Sequence, residues 1–329
     1  MQAGDRIGGY ELLEAIGPSD PRGASFVARR AGDGAFAHRV KVTVIRVASS
    51  DRMFVAMALD EARLYRAVDH QNLIQLLDLG TDASHAFFVT EHVVGATLDE
   101  LRQRSPHDAL DELGDPYRRS PPADPAPLGV AIAIACGVGA GLHYAHECTT
   151  SDGKALDIVH RDVAPRNVMI GFDGSVKLDA LALARPFQGL RGNDDTSAMV
   201  QYLSPEQCRG SVIDRRSDIY SLATILWELT VGIPRFFRGM PDIDVLTAIA
   251  KHDVIAPSQH RVDYPPELER IVMRGLAREP DARYQTAAEL VADLDTFTRT
   301  HACWASSRDI SAFIHHVFPG GAQRARRLS

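Results

Sequence analysis

Residues 159–184, VHRDVAPRNVMIGFDGSVKLDALALA, leave the chain few ways to fold. Val168, Ile170 and Phe172 alternate on one arm, and Val176 and Leu178 on the other, which is the period-two pattern of paired strands. Asp173-Gly174 lies between the arms. That dipeptide readily supplies two positive-φ residues, so the pattern predicts a tight β-hairpin. Ahead of it runs a polar loop with His160, Arg161, Asp162 and, five residues beyond that aspartate, Asn167. A carboxylate and an amide therefore meet at the mouth of the hairpin. The first is suited to accept a hydroxyl proton and the second to hold a metal ion. The plainer reading of Asp162 is a loop aspartate that caps a turn, but Asn167 in register and the hairpin that follows both favour chemistry.

The loop resembles the catalytic loop of protein kinases, matching their H-R-D-x-x-x-x-N pattern at every fixed position. The resemblance runs over about residues 10–298 and is nearest to bacterial serine/threonine kinases of the eukaryotic type. GLHYAHE, IVHRDVAPRNVMI, YLSPEQCRG and DRRSDIYSL carry it. It implies an α+β, bilobal fold, with a small five-stranded antiparallel sheet lobe bearing one helix and a larger, mainly helical lobe. Residues 1–94 are then the small lobe. Residues 95–300 form the large one, with a proline-rich insertion at 105–127, and residues 301–329 a short helical extension with a basic tail. Glu206 of Ser204-Pro205-Glu206, Asp218 and Arg283 match the family's scaffold residues. Arg283 is expected to pair with Glu206, and Asp218 to hold the catalytic-loop backbone.

The chemical residues depart from the family. Where kinases have Asp-Phe-Gly after the hairpin, this chain has Ala180-Leu181-Ala182, so Ala180 stands in place of the metal-binding aspartate. Asp179 precedes it by one residue, and on an extended arm points to the opposite face unless a bulge intervenes. The glycine-rich loop over the nucleotide phosphates corresponds to Gly17 through Gly23, with Ser19 at the middle glycine and prolines at 18 and 21. Proline removes an N–H donor and fixes φ, so an ordinary hairpin turn reads equally well there. Thr43 replaces the strand lysine that grips the α- and β-phosphates. Lys41 lies on the same strand face, roughly 6.6 Å earlier, aimed at the adenine pocket. Glu61, inside the apolar stripe of a helix at 51–68, matches the glutamate that pairs with the strand lysine, and Lys41 or Arg46 is expected to reach it. Residues 91–93, with Glu91 and Val93, match the hinge that meets adenine, and Thr90 the gatekeeper.

Composition narrows the surroundings. A net charge of −7 argues against nucleic acid or an anionic membrane as an obligate partner. No apolar run approaches the ~20 residues that span a bilayer, and the opening residues lack the layout of a signal peptide. Four scattered cysteines fit reduced thiols and a cytoplasmic setting. His143, His146 and Cys148 lie close together, but at the end of an apolar helix, and are not read as a metal site. Ser217 is the expected N-cap of an apolar helix. Thr196, Ser197 and Tyr202 are loop hydroxyls in the activation-segment position, read as solvated.

Losing one preorganised electrostatic contact costs roughly 2.7–4 kcal/mol in other enzymes. Two such losses lower a kinase kcat of ~1–100 s⁻¹ by about four to six decades. The expectation is therefore a pseudokinase. ATP binding is weakened, Mg²⁺ is not bound, and Asp162, Asn167, His160 and Arg161 are retained as a vestigial loop. Its partners are then proteins, an active kinase or another signalling component. The alternative is a working kinase in which Lys41 and Asp179 stand in, with Asn167 and Asp179 as metal ligands. A transferase of another kind on the same fold is the third reading.

Overall fold

A computed structural model describes residues 1–20, 23–32, 38–47, 56, 59, 62–63, 66, 68–82, 84–103, 126–150, 152–179, 200–232, 241–251 and 253–321. The alternating segments of the N-terminal part form one antiparallel sheet. Its strands are β1 (Arg6–Ile7), β2 (Tyr10–Asp20), β3 (Gly23–Arg30), β4 (Val40–Arg46), β5 (Leu76–Thr81) and β6 (His85–Glu91), in the order β1-β2-β3-β4-β6-β5. The five expected strands are all present, and the two-residue β1 adds to the edge of β2. Leu12, Phe26, Ala28, Val42, Val44, Phe87 and Val89 bury one face. On the other, Leu76, Ala86 and Phe88 pack with Leu59 and Ala62. These two come from the segment at 51–68, whose described positions 56, 59, 62 and 63 are helical. Lys41 and Thr43 share this second face, paired with Thr90 and Phe88 across β6.

The rest of the chain is mainly helical. Helix α1 (Leu98–Gln103) follows strand β7 (Gly95–Thr97). Helix α2 (Leu128–His146) is apolar nearly all round because it is packed on several sides, by α4 (Arg215–Val231), α7 (Ala287–Thr300) and α8 (Ser307–Val317). It is long and apolar enough to cross a membrane, which corrects the reading that no run approaches that length. Its inward side chains include Ile132, Ile134, Val138 and Leu142, all buried in the large core. Helices α3 (Pro205–Arg209), α5 (Asp242–Lys251) and α6 (Pro266–Gly275) complete the set used below.

The predicted hairpin is present as β8 (Val168–Gly171) and β9 (Val176–Leu178), with β7 on its outer edge. Its turn is wider than the two-residue one expected. Gly171 and Ser175 close it by a backbone bond of 2.8 Å, and only Gly174 has positive φ, at 84°. Asp173 supplies the reason. Its carboxylate accepts from the Ser175 N–H and hydroxyl at 2.9 and 2.6 Å, so the side chain closes the turn locally. Helix α4 also starts earlier than expected. Asp214 is its cap, accepting from Arg216 N at 2.9 Å, and Ser217 sits inside the first turn.

Candidate active site

The catalytic-type loop is built on one carboxylate. Asp218, in the first turn of α4 and 1% exposed, accepts from His160 N at 2.8 Å and Arg161 N at 2.6 Å. Those bonds hold Arg161 at φ 66°, a left-handed conformation that costs a non-glycine residue about 1–3 kcal/mol. From α2, His146 Nε2 reaches the same carboxylate at 2.8 Å. His146 is thus a brace, and among the described residues no cluster of His, Cys, Asp and Glu could hold a metal ion.

His160 links this loop to the hairpin. Its Nδ1 faces the Asp162 N–H at 3.3 Å, and its Nε2 faces the Asp179 carbonyl at 3.1 Å. The first ring nitrogen must accept and the second donate, which is the neutral tautomer. Complete burial holds its pKa below the ordinary histidine value against the nearby Asp218, Asp162 and Asp179.

Asp162, 8% exposed, is fully engaged. One oxygen meets the Arg166 guanidinium, and the other accepts from Asn167 Nδ2 at 3.0 Å. The same amide also donates to the Asp162 carbonyl at 2.7 Å, so Asn167 closes the loop on itself. The sequence reading did not anticipate Arg166, whose contact arises in a loop and 3-10 turn where helical spacing rules give no signal.

Above the loop lies the second face of the sheet. Thr43, where the family has lysine, shares a hydrogen bond of 3.1 Å with Ser25 on β3. Lys41 Nζ lies 3.5 Å from Asp179 Oδ2, with side-chain exposures of 28% and 13%. Its partner is therefore Asp179, across 138 residues of sequence. Glu61 and Ala180 lie outside the described residues, as do Thr196 and Ser197. Glu91 accepts from Gln75 N at 2.9 Å and from Lys177 Nζ at 2.8 Å, a second link between sheet and hairpin. Thr90 is buried, and Val93 lies half-buried in the connection to β7. Gly17 lies within β2, and Gly23 opens β3 opposite Asp20. A side chain on Gly23 would come within 2.8 Å of the Val44 carbonyl, so strand packing already demands glycine there.

The scaffold residues meet as expected. Arg283 and Glu206 form two parallel bonds of 2.7 and 2.8 Å, and Ser217 donates to Glu206 at 2.5 Å. Burial pushes the Glu206 carboxyl up, but the bonds from Arg283 and Ser217 prevail and hold it below the ordinary range. Tyr202 departs from the solvated-hydroxyl reading. It is 6% exposed and donates to Glu228 at 2.7 Å, which makes it part of the core.

A curled antiparallel sheet over a helical body, with an H-R-D-x-x-x-x-N loop held by a buried aspartate, defines the bilobal scaffold of a protein phosphotransferase. Residues 29–294 match the family described as protein tyrosine and serine/threonine kinase, and the chain belongs to the protein kinase family. It is similar to the tyrosine-protein kinase MasK of Myxococcus xanthus, 31% identical over 271 residues and 80% of this chain. It is also 33% identical to the serine/threonine-protein kinase PknB of Mycobacterium leprae over 78% of the chain, and 32% identical to that of Mycolicibacterium smegmatis over 87%. The chain spans 39%, 38% and 42% of the lengths of these relatives. Among solved structures, the kinase domain of Mycobacterium tuberculosis PknI shares the fold, with a TM-score of 0.63 at 20% identity, covering 90% of this chain and 98% of that one.

Members of this family in general use ATP with Mg²⁺. In this sequence two of the positions that serve that pair of ligands in the family pattern are changed, to Thr43 and Ala180. Thr43 is neutral and bonded to Ser25, and Lys41 faces Asp179, while Asn167 donates to Asp162 through Nδ2, the end of its amide that a metal ion would not use.

Proposed function

We propose that this chain is a serine/threonine-kinase-like pseudokinase, a binding and regulatory module in signalling whose phosphotransfer is weak or lost. The observation that carries this reading is the loss of the phosphate-gripping cation at Thr43 beside an intact scaffold of Glu206, Arg283 and Asp218. The relatives' printed activities support the family side of the reading and leave the chemistry of this chain to its own residues. The lobes divide at about residue 94, with 301–329 as an extension. The partners are proteins, an active kinase being the class that a kinase-shaped surface suits best. A cytoplasmic setting agrees with four free thiols.

The test is incubation with radiolabelled ATP and Mg²⁺ or Mn²⁺, alongside thermal shift with and without metal. Negligible phosphate incorporation is expected. Robust autophosphorylation that vanishes in Asp162→Ala overturns the reading. One observation favours the alternative, an active kinase with substitute residues: Lys41 and Asp179 do come together in the cleft. On that reading Lys41→Ala and Asp179→Ala each abolish turnover.

A further inference from the structure

We infer that Lys41 decides which ligands this cleft accepts: held against Asp179, its side chain fills the place of a purine ring, and adenine nucleotides bind only by displacing it. The inference rests on the family reading of where the base lies, between β4 and the hinge at 91–93. It deepens the proposed function by naming the residue that closes the site.

Strand register gives the direction of the side chain. Val27, Lys41 and Thr90 are direct partners across β3, β4 and β6, so all three lie on one face. Val27 and Thr90 are 2% and 1% exposed, so the lysine between them starts from a buried rim. From there Nζ reaches Asp179 Oδ2, just beyond β9, at 3.5 Å. The four-methylene stem thus crosses from the sheet to the hairpin, through the gap that a flat ring would need.

A second contact, from Glu91 on the opposite face of β6, ties the sheet to the same hairpin arm. Lys177 and Asp179 are two apart on an extended arm and share a face, and Lys177 Nζ meets Glu91 Oε1 at 2.8 Å. The sheet offers a cation at 41 and an anion at 91, while the hairpin offers an anion at 179 and a cation at 177. Each sign meets its opposite, and a shift of the hairpin that exchanged partners would set like charges together. Part-exposed pairs of this kind hold weakly by Coulomb attraction, so the exclusion is chiefly one of volume. Charge adds to it. A ring that replaced the lysine would present its negative face to Asp179, which would have lost its cation.

The experiment is titration of the full chain with fluorescent N-methylanthraniloyl-ATP in EDTA, with no divalent metal. Three proteins are compared: the unaltered chain, Lys41→Ala, and Lys41→Met, which keeps the stem and drops the charge. Circular dichroism confirms that each is folded. The expected result is at least tenfold tighter binding for Lys41→Ala, with Lys41→Met within about twofold of the unaltered chain. The inference is overturned if Lys41→Ala binds no tighter than the unaltered chain, including the case in which neither binds, or if Lys41→Met binds as tightly as Lys41→Ala. A loss of affinity in Lys41→Ala would instead make Lys41 a phosphate grip. Because metal is excluded and Asp162 is intact, this outcome is read separately from the phosphotransfer assay.

Discussion

Arg283 has no exposed side-chain surface, and its guanidinium is spent entirely on acceptors. Besides Glu206 it donates to the carbonyls of Ala277 at 2.7 Å, Arg216 at 2.9 Å and Arg278 at 2.9 Å. Removing it strands a buried carboxylate, and breaking a buried pair from one side costs about 3–5 kcal/mol. Arg283→Met is therefore expected to lower the urea-unfolding free energy by that amount. The double variant Glu206→Gln/Arg283→Met should recover part of it, because the stranded charge is gone; chemical unfolding of both variants checks this. The pair was legible from the sequence because both residues stand in stretches that resemble kinase motifs, Ser204-Pro205-Glu206 and DARYQTAAEL. The Lys41–Asp179 contact was not. Parity assigns a side chain to a face of a strand, but which distant residue meets that face depends on how the sheet curls over the hairpin.

At the scale of elements, helix α8 lies beyond residue 294, where the family match ends, yet it is packed like core. Ile310 and Ile314 are 4% and 0% exposed, and Ser311 donates to the Phe172 carbonyl at 2.7 Å, at the turn of the β8–β9 hairpin. His315 stacks on the Phe172 ring at 5.3 Å. The extension therefore braces the hairpin that follows the catalytic-type loop. Ile314→Ala should cost about 2–5 kcal/mol, the range for large-to-small changes in a packed core. Amide hydrogen exchange should also rise in residues 168–178 ahead of the rest of the large core; unchanged protection there would show that α8 stabilises only itself. Periodicity made this helix legible, since Phe313, Ile314, Val317 and Phe318 mark one face, as it did the strands, whereas α2 was legible from a run apolar nearly all round. Two boundaries escaped for local reasons. Asp214 outcompetes Ser217 as a cap because Ser217 is turned toward Glu206, and Asp173 reshapes the hairpin turn with its own carboxylate. The contacts of Glu61 and Ala180 fall outside the described residues.

For the whole molecule, a few titratable groups set a direction for stability against pH. The pKa values of His160 and His70 are both lowered, burial being the largest cause in each. The unfolded chain therefore takes up protons on these histidines at a higher pH than the folded one does. Stability gained from the neutral rings is complete above the unfolded value near 6.5 and falls as pH drops below it. Glu206 acts in the same sense further down. Its folded pKa is depressed, so its contribution is complete above the unfolded carboxylate value near 4.5 and is lost as pH falls through the folded one. His160 adds a slope of up to about 1.36 kcal/mol per pH unit within its window, and His70, only partly buried, adds less. Urea midpoints measured from pH 8 to pH 4 should thus hold level to about 6.5, decline, and then decline again below about 4.5. The variant His160→Gln separates the windows. It keeps a donor and an acceptor without the titration, so the upper decline should become shallower while the lower one stays. A decline of the same slope in His160→Gln would move the upper window to other histidines and leave His160 as a purely steric link between Asp162 and Asp179.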